Sequence, residues 1–451
     1  MQAIVAMLSK TALTLVVLML CACGGQANPH TCFGEYPDHR DTTWGVGGRA
    51  WFDPGLNAVT NYGIAAFPDG DGLVLAGRLD TRDQGARFAL YRFDANGQLD
   101  PHFGESGGYT ATRFGFVSAN PLDAARAADG SYIIAGRDLA NTFIARFDAR
   151  GHLDPDFGRN GLVTSSYATP LQDQHLAIDA QGRIVTSANA TSRIVIERRL
   201  PDGRPDPAFG SNGRTVIMAP LSAGQAHALT IQPDGRILIA GTEPIATAYA
   251  AALVIRLNDD GSYDTSFGAQ GITRIDLKQN SDLRALAVDP AGHIVAAGKN
   301  CQGISTHCAD LIARLDSDGN PDASFGTRGL RTAEASPGLF NAARALVIDA
   351  AGRILTVGDT YVPVWFDDPI GKCMPIKTTE LRRYLPDSTP DEAFGPNGLR
   401  LGGQHSSDPA QYAYTLALDP AGRILVTGEL SVATNGTASR VMAPAVTRYL
   451  P

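Results

Sequence analysis

The sequence predicts an all-β protein, a seven-bladed β-propeller whose blades are four-stranded antiparallel sheets. A unit of roughly 52 to 70 residues recurs along the chain, and such a period is typical of propellers and solenoids. Its apolar runs are short, rich in aliphatic residues and bounded by Gly, Pro and Asp, as strands are. No stretch of the repeats keeps a long apolar period of 3.6 residues, so few helices are expected.

Three phrases in each repeat predict its strands. A pair of apolar runs joined by a turn that ends in Gly, such as AHALTIQPDGRILIAG around Gly235, predicts strands A and B. An apolar run that ends in Arg and an aromatic residue or Leu, such as Arg256-Leu257, predicts strand C. An aromatic–Gly pair precedes strand D. These pairs begin at Trp44, Phe103, Phe157, Phe209, Phe267, Phe325 and Phe394.

The two ends of the repeat region predict how the ring closes. The chain enters on a D phrase at residues 44–51 and leaves on a C phrase at residues 446–450, with no D phrase after it. An unpaired C edge would invite aggregation. We therefore expect the N-terminal strand to pair with the C-terminal blade, so that residues 44–451 form one closed propeller. A right-handed solenoid is the alternative, and it would need atypical capping units at both ends.

The repeat resembles a known family. The phrases RLNDDGSYDTSFGAQG, from Arg256, and RLDSDGNPDASFGTRG, from Arg314, are each followed by an apolar–Gly–apolar hairpin. They resemble the delta-60 repeat of bacterial surface and secreted proteins. The resemblance covers nearly all of the chain after about residue 44. It implies a propeller-like β fold and carries over no catalytic residues.

The N-terminus predicts export. Lys10 precedes an apolar stretch, residues 11–20, that is too short to span a bilayer but suits a signal peptide. The Leu-Cys-Ala-Cys sequence ending at Cys23 resembles a bacterial lipobox, which predicts a lipoprotein signal peptide at 1–22 and a tether at 23–43. We expect an outer-membrane lipoprotein of the cell envelope. Ordinary cleavage, which would release a soluble secreted or periplasmic protein, is the alternative.

The remaining cysteines predict two disulfides. Cys301 and Cys308 flank one B–C loop and are expected to pair, which leaves Cys32 for Cys373. A metal site at Cys301, His307 and Cys308 is the alternative, but its spacing does not match usual zinc sites. Alternating carboxylates at residues 316–322 suggest calcium, yet the loop lacks the bidentate Glu. No metal or cofactor is therefore expected.

Charge excludes one class of partner and gives the repeat arginine a structural role. The formal net charge is −8 over 451 residues and arginines are dispersed, so no basic stripe predicts nucleic-acid binding. The Arg that ends each C strand is expected to pair with a turn Asp or an edge carbonyl of its own unit. The Asp of the A–B turn and of the Asp-Pro-x-Phe-Gly phrase is expected to cap its own turn. A monomer is expected.

Variable loops predict the binding face. The B–C and D–A connections vary and share one face, and loops placed by a rigid scaffold often carry binding. The longest B–C loop, residues 359–378, combines aromatic and charged side chains suited to a glycan or peptide. Packing of Trp365 and Phe366 onto the blade is the alternative. The candidate residues are Tyr361, Trp365, Phe366, Asp367, Asp368 and Lys372.

A second candidate lies at the start of each A strand, normally the innermost strand of a blade. The residue eight positions before each turn Gly varies, whereas its neighbours do not: Tyr62, Leu122, Gln174, His227, Arg284, Arg344 and Tyr414. If these residues rim the channel, Arg284 and Arg344 form a positive sector suited to an anionic or hydroxyl-rich ligand. Salt bridging between blades is the alternative.

Two functions follow from these features. The first is a binding or scaffold module for a protein or polysaccharide at the cell envelope, touching the membrane only through its N-terminal lipid. The second is a lyase or hydrolase acting on a polysaccharide or lactone at the central channel, with His227, Asp367 and Asp368 as the candidate catalytic residues. The chain has no HExxH or phosphate-cradling motif and no GxSxG elbow, since the GxSxG string at residues 104–108 belongs to an aromatic–Gly turn.

Overall fold

The computed structural model describes most of the repeat region. The described residues are 39–55, 57–114, 120–138, 141–166, 172–190, 193–217, 224–246, 249–302, 308–333, 342–366, 372–402, 411–433 and 440–451. Within them, seven four-stranded antiparallel sheets form a ring, which confirms the predicted all-β propeller. None of the described residues forms a helix of the length and apolarity needed to cross a bilayer.

Six blades use consecutive strands, in the order A, B, C and D from the channel outward. Blade 1 is β2 (Tyr62–Asp69), β3 (Gly72–Thr81), β4 (Gly85–Phe93) and β5 (Tyr109–Thr112). Blade 2 is β6 (Asn120–Arg126), β7 (Tyr132–Arg137), β8 (Asn141–Phe147) and β9 (Leu162–Ser166). Blade 3 is β10 (Gln172–Ile178), β11 (Ile184–Ala190), β12 (Arg193–Arg199) and β13 (Arg214–Ile217).

The other complete blades repeat this order. Blade 4 is β14 (Gln225–Ile231), β15 (Ile237–Ala246), β16 (Tyr249–Leu257) and β17 (Ile272–Ile275). Blade 5 is β18 (Asn280–Val288), β19 (Ile294–Cys301), β20 (Cys308–Leu315) and β21 (Leu330–Thr332). Blade 6 is β22 (Ala343–Ile348), β23 (Ile354–Phe366), β24 (Lys372–Tyr384) and β25 (Leu399–Leu401), and a short 3-10 helix (Pro396–Gly398) precedes β25.

Blade 7 joins the two ends of the repeat region. It contains β26 (Gln411–Leu418), β27 (Ile424–Ala433), β28 (Arg440–Tyr449) and, as its outer strand, β1 (Arg49–Trp51). Ala50 pairs with Val446 in the antiparallel register of β1 and β28. The inner strands β26 and β2 are also in contact, as inner strands of neighbouring blades are around the ring. The predicted closure of the ring is therefore confirmed.

The repeat arginine joins blades 2, 3, 4 and 5 to the blade that follows each of them. In blade 4, Arg256 Nε donates to Asp264 Oδ2 at 2.8 Å, and its guanidinium lies 4.4 Å from the centre of the Phe267 ring. Arg256 Nη1 also donates to the Ser317 carbonyl of blade 5. The predicted pairing with a turn Asp is confirmed, but the carbonyl belongs to the following blade because the C–D turns of neighbouring blades abut. We call this Arg–Asp–aromatic arrangement the clasp.

The N-terminus supplies the missing half of the last clasp. Arg448 Nε donates to Asp41 Oδ2 at 2.9 Å, and its guanidinium lies 4.7 Å from the Trp44 ring. Asp41 and Trp44 have the same three-residue spacing as Asp264 and Phe267. The first residues of the repeat region therefore contribute both a strand and a clasp to blade 7.

Every inner strand contains a β-bulge near its first residues. In blade 4 the register with β15 shifts between Ala226 and Ala228, which leaves His227 as the extra residue. The bulge brings the Gln225 carbonyl onto strand B, where a Cβ at Gly241 would overlap it. Blade 3 has Ala188 at the position of this Gly, and its bulge moves by one residue to Asp173. A bulge re-aims side chains and is common beside functional sites.

Two predicted features of the B–C connections have different outcomes. Cys301 and Cys308 face each other in the register of β19 and β20 and are joined by a disulfide, as predicted. In the expected loop at residues 359–378, residues 359–366 and 372–378 instead extend the hairpin, in which Val362 pairs with Ile376 and Trp365 pairs with Cys373. The loop prediction was wrong because this apolar and β-branched sequence favours strands.

Candidate functional site

The best candidate site is the mouth of the central channel, on the face of the D–A and B–C connections. The inner strands contact one another around the ring and therefore line the channel. Each contributes its bulged residue at this mouth: Ile64, Leu122, Asp173, His227, Arg284, Arg344 and Tyr414. Five of these are residues that the sequence predicted. Predicted Tyr62 lies two residues before its bulge, and predicted Gln174 lies one after.

Side chains of the preceding blade hold several bulges in place. Asn189 of blade 3 accepts a hydrogen bond from the Ala226 N–H and donates one to the Ala226 carbonyl, both at 2.8 Å. Asp359 of blade 6 accepts a bond from the Ala413 N–H at 3.3 Å, next to the bulge of blade 7. The mouth therefore rests on backbone fixed from both sides, which is what a preorganised binding site requires.

Asp123 has the same role between blades 2 and 3. Its Oδ1 accepts from the Ala124 N–H and its Oδ2 from the Leu176 N–H, both at 2.8 Å. Burial raises the pKa of Asp123 to about 7, although both N–H groups act to lower it. Because both oxygens bind backbone, we assign Asp123 to the support of the mouth rather than to chemistry.

An aromatic sector lies where blades 1 and 7 meet. The rings of Tyr62 and Tyr414 are 5.8 Å apart between centroids. Tyr414 Oη donates to Glu429 Oε1 at 3.2 Å. Burial, and then the charge of Glu429, raises the pKa of Tyr414 above its usual value, so the phenol is protonated near neutral pH. The pair offers ring faces and a hydroxyl to a ligand.

A charged sector lies across blades 5 and 6. Arg284 Nη2 is 3.1 Å from Asp282 Oδ2, and Lys299 Nζ is 3.6 Å from the same oxygen. Arg344 Nε is 2.9 Å from Asp359 Oδ2. These pairs form within a blade. They therefore differ from the alternative interpretation, in which these arginines form salt bridges between blades. Each predicted arginine has a carboxylate partner.

Charges of the described strand A and strand B residues at the mouth balance, apart from Asp123, which binds backbone with both oxygens. Five cationic groups and five carboxylates make up this set. A balanced set of donors and acceptors attracts a neutral or hydroxyl-rich ligand more than a polyanion. The residues are Arg78, Arg137, Arg284, Lys299 and Arg344, with Asp80, Asp173, Asp282, Asp359 and Glu429.

Sequence reasoning missed the strand B members of this set. Arg78, Arg137, Lys299, Asp359 and Glu429 each follow the Gly of their strand B. The residue at that position varies between repeats, as the residue at the start of strand A does, and this variability could have identified it as a site residue. The sequence does not show that the two positions are neighbours, because the bulge brings them together across the strand pair.

Two histidines complete the mouth in blades 3 and 4. Burial lowers the pKa of His175 to about 4, and it also lowers the pKa of His227. Both are therefore neutral near pH 7. The charges of Asp282, Arg284 and Lys299 act on His227, which places it beside the charged sector.

The other predicted site residues are not tested by the structure. Asp367, Asp368, Cys23, Cys32 and His307 lie outside the described residues, as do the side chains of Tyr361, Trp365, Phe366, Lys372 and Cys373. Their predicted roles, including the trio of His227 with the two aspartates, stay predictions.

Potential metal ligands in the described part of the chain do not cluster. There, no three His, Cys, Asp or Glu side chains meet as a potential metal site. Asp316 Oδ1 instead accepts backbone bonds from Asp318 at 2.9 Å and Asn320 at 2.8 Å. The carboxylate that suggested calcium therefore caps its own turn.

Comparison with known proteins supports a β-propeller repeat family. Three stretches, residues 70–103, 232–267 and 308–325, match a family described as a domain of unknown function (DUF5122), beta-propeller. No curated protein matches the chain significantly. The finer assignment to the delta-60 repeat stays a prediction.

Solved structures that are similar to this chain include both enzymes and other proteins. A Lactobacillus plantarum protein is 15% identical, with a TM-score of 0.42 and coverage of 86% of this chain and 98% of its own. PorZ, a surface component of the type-IX secretion system of Porphyromonas gingivalis, is 12% identical, with a TM-score of 0.40 and coverage of 85% and 46%. The α-L-arabinofuranosidase Arb93A of Fusarium graminearum is 10% identical, with a TM-score of 0.38 and coverage of 88% and 94%. At these scores the similarities carry no argument about function.

Proposed function

We propose that this propeller is a binding module that holds a neutral, hydroxyl-rich polysaccharide at the mouth of its channel. One observation carries the proposal. The same bulge recurs in all seven inner strands, and the residue it presents is the part of the repeat that does not repeat. A scaffold that keeps the geometry and varies the side chain is suited to recognition.

The chemistry of the mouth favours a sugar over other ligands. Tyr62 and Tyr414 offer ring faces against which the C–H faces of sugar rings pack, and their hydroxyls remain polar. The ion pairs of Arg344 with Asp359 and of Arg284 with Asp282 offer oriented donors and acceptors for hydroxyl groups. Since the charges of the described strand A and strand B residues balance, these strands give a polyanion no long-range attraction.

The extended hairpin of blade 6 adds a second surface to this proposal. Strands β23 and β24 continue beyond their pairing with the rest of the blade, to Phe366 and Lys372. We propose that Tyr361, Trp365, Phe366 and Lys372 on this extension contact the same polysaccharide further along its chain. A protein partner and the lyase or hydrolase activity remain the alternatives.

A polysaccharide array tests the binding proposal. We expect the purified protein to bind neutral polysaccharides, and we expect Tyr62→Ala and Tyr414→Ala to lose at least about tenfold in affinity because stacking is lost. Tyr109→Ala is the matched control, because its ring also packs against two aromatics but lies in the outer strand of blade 1. Binding of acidic polysaccharides alone, or equal losses in all three variants, would contradict the proposal.

Export and lipid attachment complete the proposal. The signal peptide at 1–22, acylation of Cys23 and a tether at 23–43 would display the propeller at the envelope of a bacterial cell, as the resemblance to delta-60 surface proteins implies. Labelling of cells with palmitate should mark the wild-type protein but not Cys23→Ala. Label that persists in the variant would contradict lipid attachment at Cys23, and the proposed binding site would be unaffected.

A further inference from the structure

A second polar site lies at the outer strands of blade 3, away from the channel. Ser165 of blade 2 meets Glu197, Arg199 and Arg214 of blade 3, and we call these four residues the polar quartet. The register places each at the position of an apolar residue of the next junction, namely Ile217, Ile255, Leu257 and Ile272. Those four belong to one buried apolar cluster. The junction of blades 3 and 4 therefore shows which apolar residues would fill the junction of blades 2 and 3 if its role were only structural.

Within the quartet itself, the guanidiniums outnumber the carboxylates by one. Glu197 Oε1 accepts from Arg214 Nε at 3.0 Å and Nη2 at 2.5 Å. Glu197 Oε2 accepts from Ser165 Oγ at 3.0 Å and Arg199 Nη2 at 3.1 Å. A single carboxylate thus lies between two guanidiniums. Because arginine stays protonated in proteins, this imbalance is not removed by loss of a proton.

The surplus charge faces a cavity of about 280 Å³. Residues of strand C, the C–D turn and strand D line it: Glu197, Arg198, Arg199, Pro205, Ser211, Asn212, Gly213 and Arg214. Arg199 Nε and Arg198 Nη2 are buried and have no acceptor among the described residues. Arg198 itself is 1% exposed and forms ion pairs with Asp206 and with Asp259, which Arg183 shares. A buried cationic N–H without an acceptor is costly, and a bound anion removes that cost.

We infer that this cavity binds a carboxylate. The planar, two-oxygen group fits the paired N–H donors of a guanidinium. One negative charge matches the single surplus charge of the quartet, whereas a dianion would exceed it. The carboxylate belongs to a small molecule, either a sugar acid or a simple organic acid, because a cavity of about 280 Å³ is smaller than the pockets that hold drug-sized ligands.

Calorimetric titration tests this inference with three probes at constant ionic strength: sodium glucuronate, sodium acetate, and glucose as the neutral analogue of glucuronate. We expect saturable binding of the carboxylates, with a dissociation constant at least about tenfold higher in Arg214→Gln. Arg204→Gln is the matched control, because Arg204 is an exposed arginine of the same C–D turn that does not line the cavity. It should bind as the wild type does.

A variant in which the quartet is replaced by the apolar residues of the neighbouring junction gives a sharper test. Replacing the quartet by its counterparts, S165I/E197I/R199L/R214I, should abolish carboxylate binding while preserving the circular dichroism of the propeller. Tighter binding of glucuronate than of acetate identifies a sugar acid, and equal binding identifies a simple carboxylate. The inference is overturned if the wild type binds neither, or if Arg214→Gln binds as tightly as Arg204→Gln. Because Arg214 is 42% exposed, this last comparison stands even where the four-residue variant does not fold.

Discussion

Two junctions between blades depart from the apolar pattern in opposite directions. Between blades 2 and 3, the two guanidiniums of Arg199 and Arg214 share the carboxylate of Glu197. Between blades 5 and 6, the two carboxylates of Asp310 and Glu380 share the guanidinium of Arg382. Glu197, Arg199, Asp310, Glu380 and Arg382 lie on C strands, and Arg214 lies on the adjoining D strand. At the positions of Asp310, Glu380 and Arg382, blade 4 has buried Ala252, Leu253 and Ile255. Within these two sets of side chains, the imbalance of charge therefore has opposite sign.

The difference between the two junctions shows how a buried imbalance of charge is neutralised. Asp310, Glu380 and Arg382 are 4%, 4% and 7% exposed, so an ion from solvent has no access. Burial, and then the charge of Glu380, raises the pKa of Asp310 to about 8, so this junction is neutralised by a retained proton. Arginines have no comparable proton to lose near neutral pH, so the junction of blades 2 and 3 needs an external anion, and it has a cavity to receive one.

Arg382→Leu should have the largest effect on stability. It leaves Asp310 and Glu380 buried without their shared cation, and breaking a buried ion pair costs about 3–5 kcal/mol. We expect this loss in urea unfolding at pH 9 and a smaller loss at pH 5, where Asp310 carries a proton in the native protein. Arg204→Leu, at an exposed arginine, is the control. Loss of less than about 1 kcal/mol at pH 9 would argue against the charge balance assigned here.

Glu197→Gln breaks the other junction and should cost about 2 kcal/mol in the free energy of unfolding, because it removes the carboxylate that two guanidiniums share. The expected loss is smaller than for Arg382→Leu because Arg214 is partly solvated. Added acetate should restore part of the lost stability, since it supplies the missing carboxylate. Urea unfolding with acetate or with chloride at equal ionic strength measures this effect, and equal stability in both salts would contradict it.

Asp310→Asn should flatten the dependence of stability on pH. The folded protein keeps the Asp310 proton until about pH 8, whereas the unfolded chain releases it near the ordinary value of 3.8. Unfolding between these values releases a proton, so stability falls as pH rises, by at most about 1.4 kcal/mol per pH unit. The groups acting on Asp310 are Glu380, Arg382 and the N–H of Ala343. Urea midpoints from pH 5 to 8 measure the slope, and an equal slope in the variant would contradict the assignment.

Arg214→Gln should have the smallest effect on stability, below about 1 kcal/mol, because exposed ion pairs contribute little. The same substitution is expected to reduce carboxylate affinity at least about tenfold. Measuring unfolding in the absence of carboxylate separates the two effects. A large loss of stability there would mean that Arg214 supports the fold and would weaken its assignment to a ligand.

Local repetition made most of the fold predictable. Aromatic–Gly pairs, Gly-ended turns and C-strand arginines are contiguous phrases, so strand order and ring closure followed from the pattern. The disulfide of Cys301 and Cys308 followed for the same reason, since both flank one connection. The hairpin extension of blade 6 did not follow, because its irregular sequence was interpreted as a loop.

The site was predictable only in part. The variable residues at the start of strand A were recognised, and five of them occupy the bulges. Their partners on strand B were missed, and so was the pairing of Arg344 with Asp359 inside one blade. These relationships depend on a one-residue shift in register that the spacing of apolar residues does not encode.

The sequence by itself determined the number of blades, their strand order and the strand that closes the ring, because short-range patterns specify each strand and the unfinished last repeat specifies its partner. Tertiary structure decided the chemistry. Ser165 meets Glu197 across a junction, although 32 residues separate them in the chain, and only this contact turns isolated charges into a cationic cavity. Electrostatic balance depends on distance and burial in space, and both are set only when neighbouring blades pack.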